Sequence, residues 1–128
     1  MYGSKRYVAT KVGTSRPEDL IVQLYEGVVK KLDQLIQCVV DQDIKGTGES
    51  TDRILDILNY LDATLIHEHA PELSAHLQRT YQGWSTTLVR CRVESDVSGL
   101  EAIRTQVEEL AEAWRQAVRM VQDGGQSE

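Results

Sequence analysis

Apolar residues recur at steps of three and four along most of the chain, and this spacing predicts four amphipathic helices. We expect them over residues 15–41, 44–66, 71–94 and 97–121. On each predicted helix these apolar residues form a stripe along one face. In chain order the four stripes are Ile21, Tyr25, Val28, Leu32, Leu35 and Val39; Ile54, Leu58, Leu61 and Leu65; Leu73, Leu77, Tyr81, Trp84, Leu88 and Cys91; and Leu100, Ile103, Val107, Leu110, Trp114, Ala117 and Val121. No alternating run of β-branched residues predicts a strand, so the expected fold class is all-α.

Local capping signals predict where these helices begin. Residues 15–18 read Ser-Arg-Pro-Glu, which is typical of a helix start with proline in the first turn. Asp43 and Asp96 precede the second and fourth helices and are expected to cap them. Pro71 disfavours helix at the residue before it, so it separates the second helix from the third.

Short connections between consecutive helices force neighbours to run antiparallel, which predicts an up-down-up-down four-helix bundle. The bundle is expected to occupy residues 15–122. Residues 1–14 are polar and aperiodic, and they predict an extended, flexible N-terminal tail. Residues 123–128 predict a disordered C-terminus.

Composition and charge narrow the function classes. The chain has 128 residues, 41% of them hydrophobic, which is enough for one modest core. Its formal charge of −6 argues against nucleic acid, whose binding depends on lysine and arginine neutralising phosphates. No apolar run of about 18 residues predicts membrane insertion, and no apolar signal core follows the first residues. Cys38 and Cys91 lie far apart, as expected of unpaired thiols in a reducing cytoplasm.

Catalytic motifs are missing from the sequence, so we expect neither an enzyme nor a cofactor. One weak candidate for a metal site is the group His67, His69, Glu72 and His76, in which the last two residues share a helix face. The alternative is a set of solvated side chains at a helix junction.

The first 16 residues carry a charge of +4, which leaves −10 for the rest of the chain. A basic tail is attracted to an acidic bundle, and its apolar members Tyr2, Tyr7 and Val12 are then expected to dock in an apolar groove. The alternative is an unstructured leader whose charges have no role.

The order and spacing of several segments resemble those of the flagellin export chaperones, the FliS family. The strongest part is a tyrosine-bearing tail followed by a Pro-Glu-x-Leu helix start and a Leu-Tyr-x-Gly step, with weaker similarity at the start of the second helix, within it and in the fourth. The residues that carry the resemblance are Tyr7, Val12, Pro17, Glu18, Leu20, Ile21, Leu24, Tyr25, Gly27, Asp43, Ile44, 54–65 and Leu110 to Trp114.

This resemblance implies a chaperone of the bacterial cytoplasm that binds the disordered C-terminal segment of flagellin, prevents its premature polymerisation and delivers it to the flagellar type III export apparatus. A regulatory protein is a further candidate partner. The resemblance also implies that the N-terminal tail covers part of the client-binding surface of the bundle as a lid. We expect five residues to line the client groove, with ordinary bundle core as the alternative: Leu20, Ile21, Leu24, Tyr25 and Val28. The competing hypothesis for function is an adaptor that binds a structured cytoplasmic partner through the fourth-helix heptad.

Overall fold

Four α-helices make up the computed structural model, which describes residues 17–65, 68 and 70–126. They are α1 (Pro17–Val40), α2 (Ile44–Ala63), α3 (Pro71–Glu94) and α4 (Val97–Gln126). Each helix packs against the next one in the chain, and α4 packs back against α1. The predicted all-α fold class is therefore confirmed. The predicted tail, residues 1–14, lies outside the described residues.

Contacts between side chains fix the direction of the helices. Arg104 of α4 donates to Asp33 of α1 at 2.6 Å, and Arg115 of α4 donates to Glu26 of α1 at 3.1 Å. The contacts therefore move towards the start of α1 as they move towards the end of α4, so the two helices are antiparallel. Since short connections join consecutive helices, the bundle has the predicted up-down-up-down arrangement.

The core is built from the predicted apolar stripes, with differences at their ends. Leu73, Ala117 and Val121 are exposed rather than buried, because they lie in the first turn of α3 and in the last part of α4, where no described neighbour covers them. In α4, Ala111 is fully buried and Leu110 only partly. The buried apolar residues are Leu24, Tyr25, Val28, Val29, Leu32, Leu35, Ile54, Ile57, Leu58, Leu61, Leu77, Tyr81, Trp84, Leu88, Cys91, Leu100, Ile103, Val107 and Ala111.

The capping predictions for α2 and α4 are confirmed. A carboxylate oxygen of Asp43 accepts from the Gly46 N–H at 2.9 Å, and one of Asp96 accepts from the Gly99 N–H at 3.0 Å. Each bond satisfies a donor that has no partner inside the helix. Pro71 is the first residue of α3, as its fixed φ angle favours.

Two helix ends differ from the sequence-based expectation. Helix α2 ends at Ala63 rather than near residue 66, because the Leu65 N–H bonds to the Asp62 carbonyl three residues earlier, which replaces the helical i→i−4 pattern, and the Thr64 hydroxyl takes up the Leu61 carbonyl. Helix α4 continues past residue 121 to Gln126. No proline interrupts this stretch, so the backbone hydrogen bonds of the helix extend beyond its apolar stripe.

Candidate functional site

A groove of about 410 Å³ runs between α3 and α4, which approach each other less closely than the other adjacent helix pairs. Its floor contains the aromatic ring of Trp84 and the aliphatic side chain of Ile103. Small residues on both helices keep it open. The described residues that line it are Arg79, Thr80, Gly83, Trp84, Thr87, Arg90, Gly99, Ala102, Ile103 and Gln106.

The width of the groove changes along its length. Gly99 lies so close to α3 that a Cβ atom added there would be 2.5 Å from the Cys91 sulfur, so the start of α4 is held tightly against α3. Further along, a Cβ added at Gly83 would meet nothing within 4 Å. Between these points Trp84 Nε1 donates to the Gln106 side-chain oxygen at 2.8 Å. The two helices are therefore in close contact at Gly99 and bridged by a side-chain hydrogen bond at Trp84, and open space lies beside Gly83.

Beyond Gln106 the same side of α4 carries Glu109 after one helical turn and then Ala113 and Ala117 after two and three turns, and all three are exposed. This face leads to the end of the bundle where α3 begins and α4 ends. Three large apolar side chains are exposed there: Leu73 at 53%, Met120 at 73% and Val121 at 68%. The groove and this bundle end together leave apolar surface that no described residue covers.

The charge of the groove differs from that of the whole chain. Its lining includes Arg79 and Arg90 but no Asp or Glu among the described residues, although the chain as a whole is acidic. Arg90 is bonded to Glu94 at 2.9 Å and lies 3.5 Å from Asp96. The positive charge that remains on the α3 rim therefore belongs to Arg79.

An aromatic cluster lies beneath the groove floor. The hydroxyls of Tyr25 and Tyr81 are 2.7 Å apart, and the Tyr25 ring packs 6.3 Å from the rings of Trp84 and Trp114. Burial raises the pKa of both tyrosines, so both stay protonated at neutral pH. The cluster ties α1, α3 and α4 together and fixes Trp84 in the groove floor.

The five residues predicted to line a client groove separate into two groups. Leu24, Tyr25 and Val28 are buried in the core, as the alternative interpretation expects, so they line no open groove in this structure, and contact between them and a client stays a prediction. They face inward because α1 packs closely against both α2 and α4. Leu20 and Ile21, one turn earlier, are only partly buried and stay candidates for client contact.

The other two candidate groups fall partly outside the described residues. This applies to the lid residues Tyr2, Tyr7 and Val12, and to His67 and His69 of the histidine group. The remaining members of that group, Glu72 and His76, are exposed on α3. Within residues 17–65, 68 and 70–126, no three metal-binding side chains come together. The lid and the metal site therefore stay predictions.

Sequence reasoning missed the α3–α4 groove. Its one signal was Gly83, a glycine inside a predicted helix, where it costs about 1 kcal/mol relative to alanine. Such a cost suggests that a side chain is disfavoured there for another reason. The remaining lining residues lie beside the apolar stripes, and the helix period alone does not show how far apart two helices stand.

None of the helices in the described part of the chain is long and apolar enough to span a membrane.

Comparisons with known proteins agree with this architecture. The family model described as "Flagellar protein FliS" matches residues 1–121. The flagellar secretion chaperone FliS of Bacillus subtilis is 26% identical over 113 residues, which are 88% of this chain and 84% of that protein. The flagellar secretion chaperone FliS of Escherichia coli is 25% identical over 112 residues, which are 87% of this chain and 82% of that protein.

A crystal structure of a flagellar chaperone from bacteria superimposes with a TM-score of 0.75, covering 93% of this chain and 97% of that one. At 20% identity it supports the fold alone. The family model spans nearly the whole sequence, and its curated relatives are secretion chaperones rather than enzymes. The chain therefore belongs to the FliS family of flagellar proteins.

Proposed function

We propose that this chain binds the C-terminal segment of newly made flagellin in the bacterial cytoplasm, and that the segment docks as a helix in the α3–α4 groove. As a FliS family member, the chain is a flagellar secretion chaperone. In this proposal the bound segment is kept from premature polymerisation until the complex reaches the flagellar export apparatus. A regulatory protein that competes for the same surface remains a further candidate partner.

The observation that carries the proposal is the open groove beside Gly83. An amphipathic helix binds by laying its apolar face into a hydrophobic groove, and here Trp84 and Ile103 supply the apolar floor. Because a Cβ atom added at Gly83 would meet no neighbouring atom within 4 Å, there is open space beside it for a client side chain. The Gln106 amide and the arginines on α3 supply a polar rim, which is the usual surrounding of an apolar contact.

The exposed apolar residues at the end of the bundle favour a client segment that extends beyond the groove. A disordered segment loses conformational entropy when it folds on binding, so it needs a large buried surface to bind firmly. Leu73, Met120 and Val121 provide apolar area next to the end of the groove. The partly buried Leu20 lies at the same end, since α1 begins where α4 ends.

The competing adaptor hypothesis depended on a free heptad in α4. Leu100, Ile103 and Val107, which begin that heptad, are buried inside the bundle. They are therefore not free to pair with a partner helix. The flagellin proposal needs no such surface, because it uses the neighbouring face of α4.

Co-purification tests the proposal. The full chain is immobilised and offered either intact flagellin or flagellin that lacks its C-terminal segment. We expect capture of the intact protein alone, since the segment supplies the docking helix. Equal capture of both forms would contradict the proposal and favour an adaptor that recognises a structured region.

A further inference from the structure

Two arginines on the groove rim of α3 differ in how they are paired. Arg90 is held between Glu94 and Asp96, at 2.9 and 3.5 Å. Arg79 is exposed and makes no hydrogen bond or ion pair with any residue in the described ranges. One end of the groove is therefore close to neutral, while the other presents an unpaired guanidinium group.

No carboxylate of the described part of α4 forms an ion pair with Arg79 either. In the antiparallel register given by the Trp84–Gln106 bond, Arg79 lies about level with the buried Ala111, and the acidic residue nearest to that level on the groove side of α4 is the exposed Glu109. The described groove lining contains no carboxylate, although the chain has 20 acidic residues against 14 Lys and Arg. An acidic protein thus presents a local basic site beside an apolar floor.

We propose that Arg79 pairs with a carboxylate side chain of the client helix and so sets the position of that helix along the groove. This inference rests on the proposed docking of flagellin in the groove. The acidic residue is expected on the edge of the client helix that faces α3, beyond its apolar contact with Trp84. The neutralised Arg90, about 16 Å away along α3, gives no second anchor of the same kind.

Docking of the client helix strengthens the ion pair between Arg79 and the client carboxylate. When the client covers Trp84 and Gly83 it excludes water from one side of Arg79, and a charge pair is stronger where the local dielectric is lower. The planar guanidinium group also donates two parallel hydrogen bonds to one carboxylate, which fixes orientation as well as distance. A client shifted by one helical turn loses this pair, so Arg79 contributes to register as well as to affinity.

Charge reversal in the full chain tests the inference. Calorimetry measures the affinity of Arg79→Glu, and of Arg53→Glu as a matched control, for the purified C-terminal segment of flagellin. Arg53 is also exposed, but it lines the separate groove between α1 and α2. We expect Arg79→Glu to weaken binding about tenfold, since reversal replaces attraction by repulsion, and Arg53→Glu to change it less than about twofold. Equal effects of the two substitutions would overturn the inference.

Charge reversal in the flagellin segment provides a second test of the same pair. Each acidic residue of the segment is changed to lysine in turn, and one of these variants is expected to restore the affinity lost by Arg79→Glu. A double-mutant cycle that finds no coupled residue would exclude a specific pair. If Gly83→Leu abolishes binding while Arg79→Glu does not, the pairing is wrong and the groove proposal stands. If neither substitution changes binding, both are wrong.

Discussion

Helix α4 contacts α1 on one side and α3 on the other, and the two contacts are built from different residues. Towards α1 the helices pack closely and are joined by Arg104 to Asp33 and by Arg115 to Glu26. Towards α3 the contact is tight only at Gly99, and beyond it the helices separate around Trp84. The comparison indicates that one side of α4 stabilises the bundle while the other leaves room for a client.

The largest expected effect is at Tyr25, which joins the two sides through its contacts with α3 and α4. Tyr25→Ala removes a fully buried ring and leaves the Tyr81 hydroxyl without its partner, so we expect a loss of about 3–5 kcal/mol in unfolding free energy. Urea denaturation measures it. Tyr25→Phe, the control, should cost only about 1 kcal/mol, because the ring remains. If Tyr25→Ala lost less than about 1 kcal/mol of unfolding free energy, Tyr25 would not be a core residue.

The tight end of the α3–α4 pair is tested by Gly99→Ala. The new methyl group would lie 2.5 Å from the buried Cys91 sulfur, so the helices must move apart. We expect this overpacking to cost about 1–3 kcal/mol in thermal or urea unfolding. A variant as stable as the parent chain would show that α4 begins further from α3 than described.

The ion pairs of the α1–α4 side predict a smaller and salt-dependent effect. Arg115 lies 3.0–3.3 Å from carboxylate oxygens of Glu26, Glu108 and Glu112. Replacing it by Met keeps most of the aliphatic stem, and we expect a loss of about 1 kcal/mol at low salt. High salt screens such pairs, so the parent and the variant should converge in stability there. A difference that persists at high salt would indicate a packing role instead.

On the α3–α4 side, a substitution at Gly83 is expected to increase stability. Gly83→Ala adds a methyl group that meets no other atom and removes a mid-helix glycine, so stability should rise by about 0.5–1 kcal/mol. Thermal unfolding measures it against the opposite outcome at Gly99. A loss of stability at Gly83 would mean that α3 and α4 are closer there than the groove requires.

The sequence was sufficient for the features that depend on local chemistry. The caps at Asp43 and Asp96 and the start of α3 at Pro71 follow from hydrogen bonds and sterics within a few residues. The fold class follows from the apolar period. The ends of α2 and α4 were less accurate, since neither a cap at Thr64 nor continuation through two glycines has a strong local signal.

The site could not be predicted in the same way. Tyr25 and Val28 belong to an apolar stripe whether they face a groove or the core, and only the packing of α1 against both neighbours decides between the two. The groove itself depends on the distance between α3 and α4, which Gly99 and Trp84 set through contacts far apart in sequence. The resemblance to the FliS family identified the function class without locating the surface.

Calorimetric titration of the flagellin C-terminal segment into groove-filled variants tests the central claim most directly. Gly83→Leu fills the α3–α4 groove, and Thr86→Leu adds the same side chain on the other side of α3, in the groove shared with α2. Circular dichroism confirms that both variants fold. We predict that Gly83→Leu weakens binding at least about tenfold and that Thr86→Leu leaves it within about twofold. The reverse order, or unchanged binding by Gly83→Leu, would contradict docking between α3 and α4.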